Sequence, residues 1–142
     1  MLGKVPSVLA FLGAISLSAT AIAAETCPVG DTDIEKAGSY MQAVAAVISD
    51  APDCDRAARL LHACQLGSSG DNALSTTVQE KCEPIFMGKA SAATKRAYQM
   101  ALDRCDKIAM RNAGTMYQSF AAVCRADAAR DFARKEIVAK RR

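Results

Sequence analysis

Tryptophan is absent from the 142 residues, histidine occurs once, at His62, and no segment alternates apolar and polar residues with period two. The missing alternation argues against a β-sheet, because a half-buried strand needs that pattern. One histidine cannot build a multi-histidine metal site, and no C-x-x-C pair stands in for it. No Gly-rich phosphate loop and no nucleophile triad order is visible, which removes the common nucleotide-binding and hydrolase readings. Aromatic residues are scarce as well, with four Phe and three Tyr. Helices lined by alanine bury little area each, so a core of this composition needs covalent help.

What the chain does have begins with "MLGKVPSVLAFLGAISLSATAIA". Lys4 marks a short basic start, Val8 to Leu17 form an apolar run, and Ala21 with Ala23 make an A-x-A cleavage site. The run is shorter than the roughly 20 residues of a spanning helix, so residues 1–23 are predicted to be a removed signal peptide. The mature chain, 24–142, is then a single domain of the periplasm or the secreted fraction. All six cysteines follow the cleavage site, and an even count in an oxidising compartment predicts three disulfides.

Charge is unevenly placed. The last nine residues, "RKEIVAKRR", hold five basic residues and one acidic, whereas Ala24 to Ala133 hold 12 basic against 14 acidic. This tail, 134–142, is either a solvated helix end or a contact for an anionic envelope surface; no nucleic-acid partner is expected.

Helical spacing accounts for most of the chain. A first helix is predicted from a Thr32/Glu35 capping box to Ala51 before Pro52. Asp53 caps a second, carrying Cys54, Leu61 and Cys64 and stopped by Gly67, and "GSSGDN" follows as a loop. Ser75 starts a third, which Pro84 should kink or end near Lys81 to Glu83. Ser91 starts a fourth, with Tyr98, Ala101, Leu102 and Cys105 on its apolar stripe and Gly114 as terminator. A Thr115/Gln118 box opens the last, lined by Tyr117, Phe120, Ala121, Cys124, Ala128 and Phe132. The expected fold is all-α, a disulfide-stapled bundle of about five helices.

The turn at Gly114 pairs two of the cysteines. Cys105 lies nine residues before it and Cys124 ten after, so at ~1.5 Å per residue they reach the same height on antiparallel helices. Cys54 and Cys64 lie on one helix and about 15 Å apart, beyond disulfide reach. Cys54 matches Cys82 in height across the loop, which leaves Cys27 for Cys64.

Chemistry-bearing groups are few. His62 is two residues from Cys64, about 200° around the helix, too far round to serve as its base. Met87, Met100, Met110 and Met116 could offer thioethers to copper, but methionine more commonly fills gaps in alanine-rich cores, and neither metal nor cofactor is expected. Asp103/Asp106 and Asp127/Asp131 alternate with Arg104, Lys107, Arg125 and Arg130, the pattern of salt-linked solvated faces.

"ATKRAYQMALDRC" followed by "AGTMYQSFAAVC" resembles the C-terminal part of the lysozyme-inhibitor LprI-like domains, small exported helical proteins of bacteria. Tyr98, Asp103, Cys105, Gly114 and Cys124 carry the resemblance. It implies a non-catalytic binding or inhibitory module whose partner is a lysozyme or another envelope protein, with Tyr98, Asp103, Tyr117 and Phe120 as candidate contacts. An envelope-tethering role for the basic tail is the competing expectation, and a periplasmic metal carrier a third.

The cleavage site generates the first prediction. Protein recovered from an exporting host should begin at or next to Ala24 by Edman degradation or intact mass, and a folded product retaining Met1 would contradict it.

Overall fold

In the computed structural model, which describes residues 25–141, the chain forms six helices and, among those residues, no strand. They are α1 (Asp31–Ala37), α2 (Tyr40–Ser49), α3 (Cys54–Cys64), α4 (Asp71–Phe86), α5 (Ala92–Arg111) and α6 (Thr115–Lys140). The predicted signal segment lies outside the described residues. No helix described is long and apolar enough to cross a membrane.

The single helix expected from Thr32 to Ala51 is two. Gly38 adopts a left-handed φ of 88° and its N–H bonds back to the Ile34 carbonyl at 2.8 Å, which closes α1. Ser39 then restarts the chain as an N-cap, its hydroxyl accepting from the Gln42 N–H at 3.2 Å. The Thr32/Glu35 box does not form. Gly30 is the N-cap of α1 and its N–H donates to the Asp33 carboxylate at 2.9 Å. Asp53 caps α3 through the Arg56 N–H at 2.7 Å, as expected, but α3 ends at Cys64, before Gly67.

Helix α4 begins four residues earlier than the predicted Ser75, inside the supposed loop, and runs through Pro84 to Phe86. Pro84 sits in the last turn, so it forfeits one backbone bond near an end that was about to run out of partners. Ser91 caps α5 by accepting from the Thr94 N–H at 3.1 Å. Gly114 does not end α5, which stops at Arg111. It is the N-cap of α6, with φ 114°, and the Thr115/Gln118 box makes no capping bond.

Packing centres on α6, which runs antiparallel to α5 and also lies along α4. The stripe it buries is Ser119, Ala122, Ala126, Ala129 and Ala133. None of these is larger than a hydroxymethyl, so the α4 backbone comes close enough for the Ser75 hydroxyl to donate to the Ala122 carbonyl at 2.6 Å. Val44, Ile48, Leu61, Leu74, Val78 and Phe86 fill the space beside this seam. Phe86, Tyr98 and Phe132 close the far end with ring centroids 5.0 to 5.6 Å apart.

The three predicted disulfides are present. Cys27–Cys64, Cys54–Cys82 and Cys105–Cys124 have Cα separations of 4.8, 5.0 and 5.5 Å, and no cysteine is free. Each is expected to add about 2 to 4 kcal/mol in a domain with so few large apolar side chains. They mark a chain that folds in an oxidising compartment.

One carboxylate organises the turn into α4. Asp71 is fully buried and accepts from the N–H groups of Leu66 at 2.8 Å, Gly67 at 2.9 Å and Ser68 at 3.3 Å, and from the Ser119 hydroxyl at 2.6 Å. Its removal would strand four buried or half-buried donors at once. Asp71→Ala should therefore cost about 3 kcal/mol and lower the melting temperature by roughly 10 °C in thermal denaturation followed by circular dichroism. A loss under about 1 kcal/mol would mean that water replaces the carboxylate.

Candidate partner-binding site at the hairpin tip

The α5–α6 hairpin turns through three residues, Asn112 to Gly114. Asn112 folds its amide back to donate to the Ile108 carbonyl at 2.8 Å, and Gly114 supplies the positive φ that lets α6 restart in the opposite direction. The Cys105–Cys124 bond lies about two turns below this tip and fixes the spacing of the helices there. Beyond it, apolar side chains face outward. Phe120 is 47% exposed, Met116 49% and Met110 81%. Tyr117 is half-buried and meets Phe120 edge-on, with ring centroids 6.0 Å apart. Residues 107–120 contain Lys107 and Arg111 and no carboxylate, so this stretch is mildly basic.

Of the four candidate contacts, only Tyr117 and Phe120 stand together. Tyr98 is 3% exposed and belongs to the core, which corrects its assignment as a partner contact. Its ring packs on Phe86 and Phe132, and its hydroxyl donates to the Glu83 carboxylate of α4 at 2.8 Å. Burial and that bond push the phenol well above its usual pKa. Asp103 is exposed and accepts from Gln99 at 2.9 Å. It lies two residues from Cys105, about 200° round α5, and so faces away from α6 and the tip patch. Conversely, Phe120 was expected on the buried stripe of the last helix, and the structure turns it out to solvent. Met110 and Met116, expected as core fillers, are exposed with it.

The side of the hairpin offers a concavity of about 450 Å³ between α5 and α6. Its floor is Ala101, Ala128, Phe132 and the Cys105–Cys124 bond, and Arg104 and Lys135 reach its rim. Arg130 bridges the two carboxylates beside it, Asp127 at 2.9 Å and Asp131 at 3.1 Å. Arg125 likewise holds Asp106 at 2.6 Å, so these acids lie on salt-linked faces as the sequence pattern indicated. No group of three or more His, Cys, Asp or Glu is placed to hold a metal among the described residues.

Sequence reasoning missed the contact of His62. Its Nε2 is 2.9 Å from Asp127, joining α3 to α6 at the surface, and no local pattern signals a contact between residues 65 positions apart. The hydrogen bond to the carboxylate, the largest influence, raises the imidazole pKa; desolvation and Arg130 oppose it. No family model, curated protein or solved structure matches the chain.

A raised histidine pKa stabilises the fold fully below the unfolded value near 6.5, and the gain is lost as pH rises through the folded value. A double-mutant cycle of His62→Gln and Asp127→Asn should show favourable coupling at about pH 5.5 that shrinks above about pH 8. Both side chains are partly exposed, so coupling under about 1 kcal/mol is expected. Coupling that grows with pH would contradict the assignment.

Proposed function

We propose that the protein is an exported, non-catalytic binding module that docks the tip of its α5–α6 hairpin into an apolar depression on an envelope enzyme. The observation that carries this reading is the exposed pair Phe120 and Met116, one turn apart on α6 and held above a disulfide. Large apolar side chains exposed side by side on a braced turn lose solvent contact on docking while little backbone freedom remains to be lost. The resemblance of the hairpin sequence to lysozyme-inhibitor domains supplies the target class, a glycan-cleaving enzyme whose cleft the tip would block sterically. The tip carries no carboxylate, so attraction to a basic enzyme does not drive this contact. Apolar burial must supply the affinity.

A structural or tethering role is the second reading, favoured by the cations exposed at the opposite end of α6. The two readings separate in one assay. In turbidimetric lysis of bacterial cell walls by lysozyme, micromolar protein should inhibit, and Phe120→Ala should weaken inhibition about 30-fold, as expected for an aromatic anchor worth ~2 kcal/mol. Asp103→Lys, on the other face, should change it by less than about two-fold. Lysozyme activity untouched by the unaltered protein would sink the inhibitor reading.

A further inference from the structure

Helix α6 outruns the bundle. Ala133 is its last buried residue, and from Arg134 to Arg141 every side chain except that of Glu136 is exposed. These last two turns pass the start of α3 and the end of α4, where Arg134, Ile137 and Arg141 line an open recess with Pro52, Lys81 and Ile85, and exposed β-branched residues are poor helix formers. Yet this segment carries Ile137 and Val138, the latter 51% exposed.

At 100° per residue, Arg134, Ile137, Val138 and Arg141 fall within a band about 100° wide, with Lys135 on its shoulder. Glu136, the one acidic residue of the segment, lies on the opposite side, where Lys140 reaches it at 3.4 Å. Lys135 rests over the Phe132 ring, 5.0 Å from its centroid, and makes no ion pair among the described residues. Arg134 approaches Asp55 only at 3.9 Å, with 64% of its side chain exposed. The segment therefore presents Lys135 and Val138 to open solvent, sets Arg134 and Arg141 on a recess that also holds Asp53 and Asp55, and turns its own anion, Glu136, to the other side. The rest of the mature chain is net acidic.

We propose that residues 134–141 form a docking site for anionic phospholipid bilayers, with Arg134, Lys135 and Arg141 against the headgroups and Val138 pressed into the acyl boundary. Charge complementarity selects the anionic surface, and the apolar strip between the cations selects a bilayer over a soluble polyanion, which offers it nothing. The site is independent of the hairpin tip. Phe120 and Val138 are 18 positions apart on one helix, about 27 Å at 1.5 Å per residue. The protein would thus hold its tip well away from the membrane to which it is anchored.

The test is vesicle sedimentation of protein purified from an exporting host. Binding is expected to vesicles with about 30 mol % phosphatidylglycerol in phosphatidylcholine, and to fall sharply at about 0.5 M salt. Each cation near the surface strengthens partition about five-fold, so Arg134→Glu with Arg141→Glu should weaken it more than ten-fold. Arg96→Glu with Lys107→Glu, on α5, should not. Circular dichroism confirms that each variant is folded. Because the chain has no tryptophan, Val138→Trp places a single reporter in the strip, and its emission should shift to the blue on these vesicles. Several results would overturn the proposal: equal binding to pure phosphatidylcholine, equal loss with the α5 reversals, no tryptophan shift, or binding to polyphosphate without binding to vesicles.

Discussion

Asp71 is the one charged side chain withdrawn completely from solvent among the described residues, and the arrangement of the helices around α4 depends on how it is satisfied. A bare carboxylate in that position would be prohibitive. Three consecutive N–H groups from Leu66 to Ser68 converge on it, the arrangement that an anion-binding turn offers to a ligand, here filled by the protein's own side chain. The fourth donor, Ser119, belongs to α6. One residue therefore sets the turn after α3, the first turn of α4 and the height at which α6 lies against both.

That height matters because the seam between α4 and α6 is lined with the smallest side chains. Alanine has no long side chain to interlock, so a slip along the axis meets little steric resistance. Two hydroxyls fix the register: Ser75 bonds an α6 carbonyl, and Ser119 bonds Asp71 near the start of α4. Polar bonds at fixed points do what bulky knobs do in a leucine-rich bundle, and the disulfides then compensate for the small area that alanine buries.

The legible parts of the sequence were those where geometry is local or scales simply with residue count. Cys105 and Cys124 could be paired because helix rise and one glycine turn determine their heights. Cap residues such as Asp53 and Ser91 announce themselves within four positions. Ser39 is as clear a cap, and Gly38 as clear a stop, but both were masked by an apolar period that continues across the break. In α6, alanine occurs on the face toward α4 and on the face toward α5, so hydrophobic spacing could not choose between them. Phe120 was consequently placed on the apolar stripe even while it stood among the candidate contacts. Tyr98 was legible on its apolar stripe and failed only as a partner contact: nothing near it signals that Glu83, 15 residues earlier and on another helix, will accept a hydrogen bond from its hydroxyl. Asp71 lay within six residues that look like a flexible linker, and its decisive partner is 48 residues away.

The covalent connectivity has one further consequence. Cys27–Cys64 and Cys54–Cys82 overlap in sequence and lock residues 27–82 into one cross-linked unit, whereas Cys105–Cys124 closes only the hairpin on itself. No bridge joins the two units. A single proteolytic cut in the Gly88–Ser91 connection would leave two internally bonded fragments held together only by noncovalent contacts, chiefly those of α6 against α4. A cut at the hairpin tip, between Cys105 and Cys124, would leave one molecule with an opened end. The fold is thus a two-piece assembly written as one chain, suited to fragment complementation and to exchange of the hairpin as a cassette.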